Sequence, residues 1–135
     1  MQKHTKNYSL KSVDNWFSKF IRARDADEDG IIRCISCGKP VHWKKADAGH
    51  FIKRQHRALR FSEINVNGQC RSCNWLLQGN DINYAKGLVK KYGPGIIEQL
   101  QALKNGALHL GRFELKIIAD NYKEKFGNLK KIKGL

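Results

Sequence analysis

Four cysteines stand in two C-x-x-C pairs, Cys34/Cys37 and Cys70/Cys73, with thirty-two residues between them. A thiolate is a soft donor, and a C-x-x-C turn aims both sulfurs at one ion. Two such turns supply the tetrahedral S4 shell that zinc prefers. Gly38 follows the first pair, as a knuckle turn requires. A redox dithiol needs one pair rather than two, in a strand–helix setting that is missing here. An iron–sulfur cluster is the remaining use of four cysteines. The spacing therefore predicts one structural zinc. Four sulfurs leave no open position on that ion, so it holds the fold and does no chemistry.

A second set of donors lies between and just after the pairs: Asp47, His50, Asn65 and Asn74. A neutral imidazole takes a proton from water near pH 7. Carboxylate and amide oxygens are hard donors that suit Mg²⁺ or Mn²⁺ better than zinc. Each residue also has a bland reading. A lone His on a strand is usually structural, Asn65 can cap a turn, and Asn74 can start a helix. Asn80, beside Gly79, reads as a helix stop and cap and is the weaker candidate for a metal ligand. His42, His56 and His109 lack such a setting. His56 sits among Arg54, Arg57 and Arg60, which with Lys53 form the best local patch for a phosphate backbone. Trp43 and Trp75 flank the cysteines and read first as core aromatics, second as base-stacking platforms. Asp25-Ala-Asp27-Glu-Asp29-Gly30 matches the opening of a calcium loop. Its twelfth position is Ser36, where a bidentate Glu is needed, so it reads as an acidic turn ending a helix.

The elements that must position these groups follow from periodicity. Residues 9–24 form an amphipathic helix, with Leu10, Val13, Phe17, Phe20 and Ile21 on one face and Ser9 as N-cap. Residues 31–43 hold a short strand, the first knuckle and a hairpin. Strands are expected at 46–53 and 64–67, joined by a basic loop, and a short helix runs from Cys70 to Gly79. On the first of these strands residues 47 and 49 face one way and His50 the other. The remainder is helical. One stripe is Ala85, Leu88, Val89 and Tyr92. A second, after Pro94, is Ile96, Ile97, Leu100 and Leu103, stopping at Gly106. A last helix covers about 112–126, followed by a loose basic arm at 128–135. The expected class is α+β, mainly helical: a zinc-stapled core at 31–80 between an N-terminal helix (9–30) and a helical C-terminal part (81–127), in a single domain spanning 1–135.

Composition bounds the partners. The formal charge is +14, carried by 26 basic and 12 acidic side chains. The excess is shared between both halves rather than packed into a tail, so a folded body should attract a polyanion. No run approaches the ~20 apolar residues of a membrane span. Met1-Gln2-Lys3-His4 has no apolar stretch behind it, so no signal peptide is expected and a cytoplasmic location is. There thiols stay reduced, which favours metal over disulfides.

The order His50, Asn65, then Cys70-x-x-Cys73-Asn74 resembles the HNH, or ββα-metal, nuclease motif, in the subgroup whose motif is bracketed by Cys pairs. The run Asp47-Ala-Gly-His50-Phe-Ile, Arg60-Phe-Ser-Glu-Ile-Asn65-Val, Gln69-Cys70-Arg-Ser-Cys73-Asn74, Gly79-Asn80 is similar to the lambdoid phage recombination endonucleases of the NinG family, also called Rap. The resemblance covers about residues 10–92. It implies a ββα-metal core, with His50 as general base, Asn65 orienting His50 through a loop backbone contact, and Asn74 as ligand of a catalytic Mg²⁺ or Mn²⁺. Many HNH motifs carry Asp directly before the His, where this chain has Gly49; Asp47 is the expected replacement. The resemblance further implies cleavage of branched DNA, such as D-loops and Holliday junctions, and a possible homodimer, for which Trp16 on the first helix could supply the face. No small-molecule cofactor is expected. Two other functions account for part of the pattern: a zinc-ribbon nucleic-acid-binding module without catalysis, and a sequence-preferring HNH nickase or restriction nuclease.

Overall fold

The computed structural model describes residues 9–135, so the reading of residues 1–8 lies outside the described residues. The fold is mixed α+β and about half helical, with two small two-stranded sheets. Helix α1 (Leu10–Asp25) begins where Ser9 Oγ accepts the Ser12 N–H at 3.2 Å. It buries Val13, Phe17, Phe20 and Ile21. The acidic turn after it is a local device: Asp27 Oδ1 accepts the N–H groups of Asp29 and Ile31, both at 2.9 Å. Strands β1 (Ile31–Arg33) and β2 (Pro40–His42) pair antiparallel around the first Cys turn.

Strands β3 (Asp47–His50) and β4 (Val66–Gln69) form the second antiparallel pair, in the register Asp47↔Gln69 and His50↔Val66. The second strand lies two residues later than the apolar pattern placed it. Asn65 precedes it and is a loop clamp rather than a strand residue. After β4 comes a single turn of π-helix, Ser72–Leu76. Gln78, Gly79 and Asn80 then all take positive φ (51°, 99° and 48°), turning the chain into α2 (Asp81–Tyr92). Helix α3 is Ile96–Leu103 and α4 is Arg112–Lys133.

The β3–β4 pair lies between two helical layers. Val66 packs with Phe17, Phe20 and Tyr122, of α1 and α4. On the other side Ile52, Leu59, Tyr84, Leu88, Ile96 and Leu100 form a core with α2 and α3. Helices α1 and α4 run parallel: Val13 meets Leu115 and Ala119, Phe20 meets Tyr122, and Lys133 reaches the end of α1. Gly87 lets α2 approach the first knuckle, since a Cβ there would lie 2.0 Å from the Ile35 carbonyl oxygen.

Several expectations are corrected by this packing. Residues 128–133 are not a loose arm but the last turns of α4. Lys133 Nζ donates to the carbonyls of Ala23, Arg24 and Ala26 at 2.7–2.9 Å, neutralising the negative end of α1. Leu103 and Val89 face solvent, and the fully buried residue of α2 beside Leu88 is Tyr84. Trp16 packs against Phe126 (ring centroids 6.3 Å apart) and is partly buried. Trp43 is buried as expected, but Trp75 is 67% exposed and is no core residue. No helix among the described residues is long and apolar enough to cross a membrane.

Candidate metal and nucleic-acid site

The four cysteine sulfurs converge, all within 4.8 Å of one another. Cys37 Sγ and Cys70 Sγ are 3.8 Å apart, far beyond a disulfide. Zinc–sulfur bonds of ~2.3 Å in a tetrahedron give an edge of ~3.8 Å, so the cluster can hold one zinc ion. Gly38, at φ +76°, closes the first knuckle by donating to the Cys34 carbonyl at 2.8 Å. Burial pushes the Cys73 thiol up to about 12, with the neighbouring sulfurs adding to it. Cys34 lies below the usual thiol value despite its burial, because N–H groups of Cys70, Cys37 and Ser36 stabilise its thiolate. A dication is what would bring all four to the thiolate form. Asn80 belongs to this cluster: its Nδ2 donates to Cys73 Sγ at 3.4 Å. That amide faces the sulfur cluster rather than Asp47 and Asn74.

His50 stands at the end of β3 with its Nε2 2.8 Å from the Arg60 carbonyl oxygen. A carbonyl can only accept, so Nε2 carries the proton and Nδ1 of the neutral ring keeps a free lone pair. Burial pushes His50 down to about 4, outweighing the pull of that carbonyl, so the ring is neutral at pH 7. The loop that presents Arg60 is clamped by Asn65, which is fully buried. Its Oδ1 accepts the Ile52 N–H at 2.8 Å, and its Nδ2 donates to the carbonyls of Ile52 (2.9 Å) and Leu59 (3.1 Å). Asn65 thus ties the segment just after His50 to the end of the loop that carries Arg60.

Asp47 opens β3 and meets the π-helical turn. Its Oδ2 lies 3.1 Å from the Asn74 side-chain amide, and its Oδ1 accepts from Arg71 at 3.3 Å. Nitrogen and oxygen of that amide exchange places on a half-turn of its last torsion. Two oxygens would then be about 3.1 Å apart, close to the ~3.0 Å edge of an octahedron with 2.1 Å bonds, which is what Mg²⁺ demands. The donor set fits a hard dication. Gly49 makes room for a buried side chain of the neighbouring strand. Its hydrogen side is filled by Gln69, whose Oε1 lies 1.9 Å from where a Cβ would stand. Any side chain at position 49 would strike Gln69 rather than join Asp47 and Asn74.

Asp47, His50, Asn74, Lys53, Arg54 and Arg60 all line one groove of about 1470 Å³ between α1 and the β3–β4 unit. Its walls carry seven basic side chains against two carboxylates, Asp14 and Asp47. The expected phosphate patch is only partly placed there. Lys53 and Arg54 reach the groove half-exposed, while Arg57 lies outside it. Arg60 is turned inward: its guanidinium grips Asp14 of α1 at 2.6 and 3.1 Å. Its main chain supplies the carbonyl that meets His50, and the same Asp14 also takes Arg54 Nη1 at 3.3 Å. Two groove residues, Arg71 and Asp14, were given no role in the sequence reading, nor was the buried Tyr84 beneath β3. Arg71 lies inside the second C-x-x-C, where a basic residue beside the knuckle was the available signal. Tyr84, whose hydroxyl donates to the Gly49 carbonyl at 2.6 Å, was passed over for a neighbouring helical stripe. Asp14 gave no signal, being one more polar residue on the wet side of an amphipathic helix.

The chain belongs to the NinG family of lambdoid phage proteins: the family model described as "Bacteriophage Lambda NinG protein" matches residues 2–133. The chain is 31% identical to Protein ninG of Escherichia phage lambda over 129 residues, which is 93% of this chain and 59% of that protein. It is 30% identical to Protein ninG of Salmonella phage P22 over 128 residues, with the same two shares, 93% and 59%. The relative in Escherichia phage 933W is 32% identical over 103 residues, 74% of this chain and 48% of that protein. The chain thus spans about half the length of the curated relatives it matches. No solved structure matches it.

Proposed function

We propose that the chain is a divalent-metal-dependent DNA endonuclease of the HNH type, acting on branched recombination intermediates, with a structural zinc in the four-cysteine cluster. The observation that carries this reading is the oriented, neutral His50 in the same basic groove as the Asp47–Asn74 pair. A binding module accounts for the cysteines and the charge but not for His50 and Asn74 in nuclease order. His50 Nδ1 takes the proton from a water molecule. That water's oxygen forms the new bond to phosphorus as the bond to the leaving ester oxygen breaks. The Arg60 carbonyl accepts from Nε2 throughout and stabilises the imidazolium that forms. Asp47 and Asn74 would hold a dication, which would supply positive charge at the scissile phosphate and the leaving oxygen. Lys53, Arg54 and Arg71 bind the phosphates on either side and make affinity fall with salt.

The test is cleavage of labelled linear, D-loop and four-way DNA by the purified chain with Mg²⁺ or Mn²⁺, beside Asp47→Ala. Metal-dependent cutting of the branched forms, lost in Asp47→Ala, is expected. Tight binding with no cutting of any substrate makes the chain a zinc-ribbon module. Cutting of linear duplex at one sequence makes it a sequence-preferring nuclease.

A further inference from the structure

Four large apolar side chains stand in water on the π-helical turn and the start of α2, and the first of them, Trp75, lines the groove. Trp75 is 67% exposed, Leu76 80%, Leu77 57% and Ile82 75%. Their exposure is built into the backbone. The π-helical turn closes with the Leu77 N–H on the Ser72 carbonyl at 3.0 Å, and the left-handed run 78–80 then carries the chain away. Cys73 of the same turn points inward to the sulfur cluster, so the residues after Asn74 must point out. A π-turn and consecutive left-handed residues are costly local choices that cluster at functional positions. Trp75 lines the groove, directly follows the Asn74 amide that meets Asp47, and carries the Arg71 guanidinium 5.9 Å from its ring centre.

The surroundings specify the occupant. A groove rich in Lys and Arg calls for a polyanion, and a flat aromatic face with a leucine beside it calls for a flat apolar surface. Nucleic acid offers both only where its bases are unstacked, because an intact duplex presents phosphates and base edges to a groove and keeps its base faces covered. We propose that Trp75 and Leu76 form a wedge that stacks on an unpaired base next to the phosphate at Asp47 and Asn74. It would select DNA that is unpaired beside the cut. This rests on the nuclease reading for the position of the phosphate, but binding can be read without cleavage.

The experiment uses the full chain carrying His50→Ala. Two DNAs of the same length are compared: an uninterrupted duplex, and one opened by a short single-stranded bubble containing 2-aminopurine. Affinity and 2-aminopurine fluorescence are measured with and without Trp75→Ala, and with Trp75→Phe as the conservative variant. Trp75→Ala should weaken bubble binding about 5- to 100-fold, leave duplex binding within about twofold, and abolish the quenching. Trp75→Phe should restore most of both. Because Trp75 is exposed, unchanged circular dichroism is expected throughout. Equal losses on both DNAs overturn the wedge, making Trp75 a general backbone contact. So does bubble preference that survives Trp75→Ala and Leu76→Ser while sedimentation shows a dimer falling apart; the patch is then a face between copies of the chain. If the wild-type groove cuts nothing but the bubble preference depends on Trp75, the nuclease reading fails and the wedge stands.

Discussion

His50 is defined by what surrounds it. Its proton sits on the nitrogen that faces the Arg60 carbonyl, and burial keeps the ring neutral to about pH 4. That has a cost in acid. The folded value lies below the ordinary imidazole value near 6.5, so between the two the unfolded chain binds a proton that the folded chain refuses. Stability should therefore fall as pH drops through 6.5 and level off below about 4, by up to about 3 kcal/mol. Urea unfolding midpoints of wild type and His50→Gln, compared from pH 7.5 to 5, check this. The wild type should lose stability more steeply, and equal slopes would show that His50 is not the group responsible. The slope difference is the readout because acid would also displace a cysteine-bound zinc in both proteins. Asp14 shares in holding this imidazole: it grips Arg60, and Arg60 presents the carbonyl.

Among elements, the β3–β4 pair does the positioning, and Gly49 sets how tightly it closes. Gln69 is fully buried, with its Nε2 fixed to Ser36 Oγ (2.9 Å) and the Gly79 carbonyl (2.7 Å). Its Oε1 has no hydrogen-bond partner and rests against the Cα–H of Gly49. Gly49→Ala should therefore destabilise the fold by about 1–3 kcal/mol through overpacking. Chemical denaturation measures this directly, and a neutral result would mean that Gln69 has another rotamer to take. The helix from Ser9, the two knuckles and the paired strands were legible in the sequence, because capping, C-x-x-C spacing and apolar alternation are local signals. The order of His50, Asn65 and Asn74 was legible for the same reason. What was not legible depends on distant partners. Nothing local says that Arg60 turns inward to Asp14, that Lys133 caps α1, or that Trp75 stays in water. The left-handed run at 78–80 belongs to that group too, since only Gly79 of the three announces it.

At the scale of the whole molecule the sulfur cluster ties the first hairpin to the turn that carries Asn74. Under the zinc reading, structural zinc contributes ~10–16 kcal/mol, as much as the ~5–15 kcal/mol that holds a whole domain together. Stripping it with a zinc-selective chelator should remove both cooperative unfolding and cleavage, with Mg²⁺ still in excess. Circular dichroism and cleavage followed together during chelation test this. Loss of cleavage with the fold intact would move zinc into the chemistry, and retention of both would remove it from the account.

On the proposed reading the basic groove cuts DNA with His50 as its base. The most direct measurement is the single-turnover cleavage rate of branched DNA in saturating Mg²⁺ for wild type and His50→Ala, with binding of the same DNA measured alongside. Removal of the base is expected to slow cleavage by at least ~100-fold while affinity changes less than about threefold. Cleavage by His50→Ala at the wild-type rate would contradict the account.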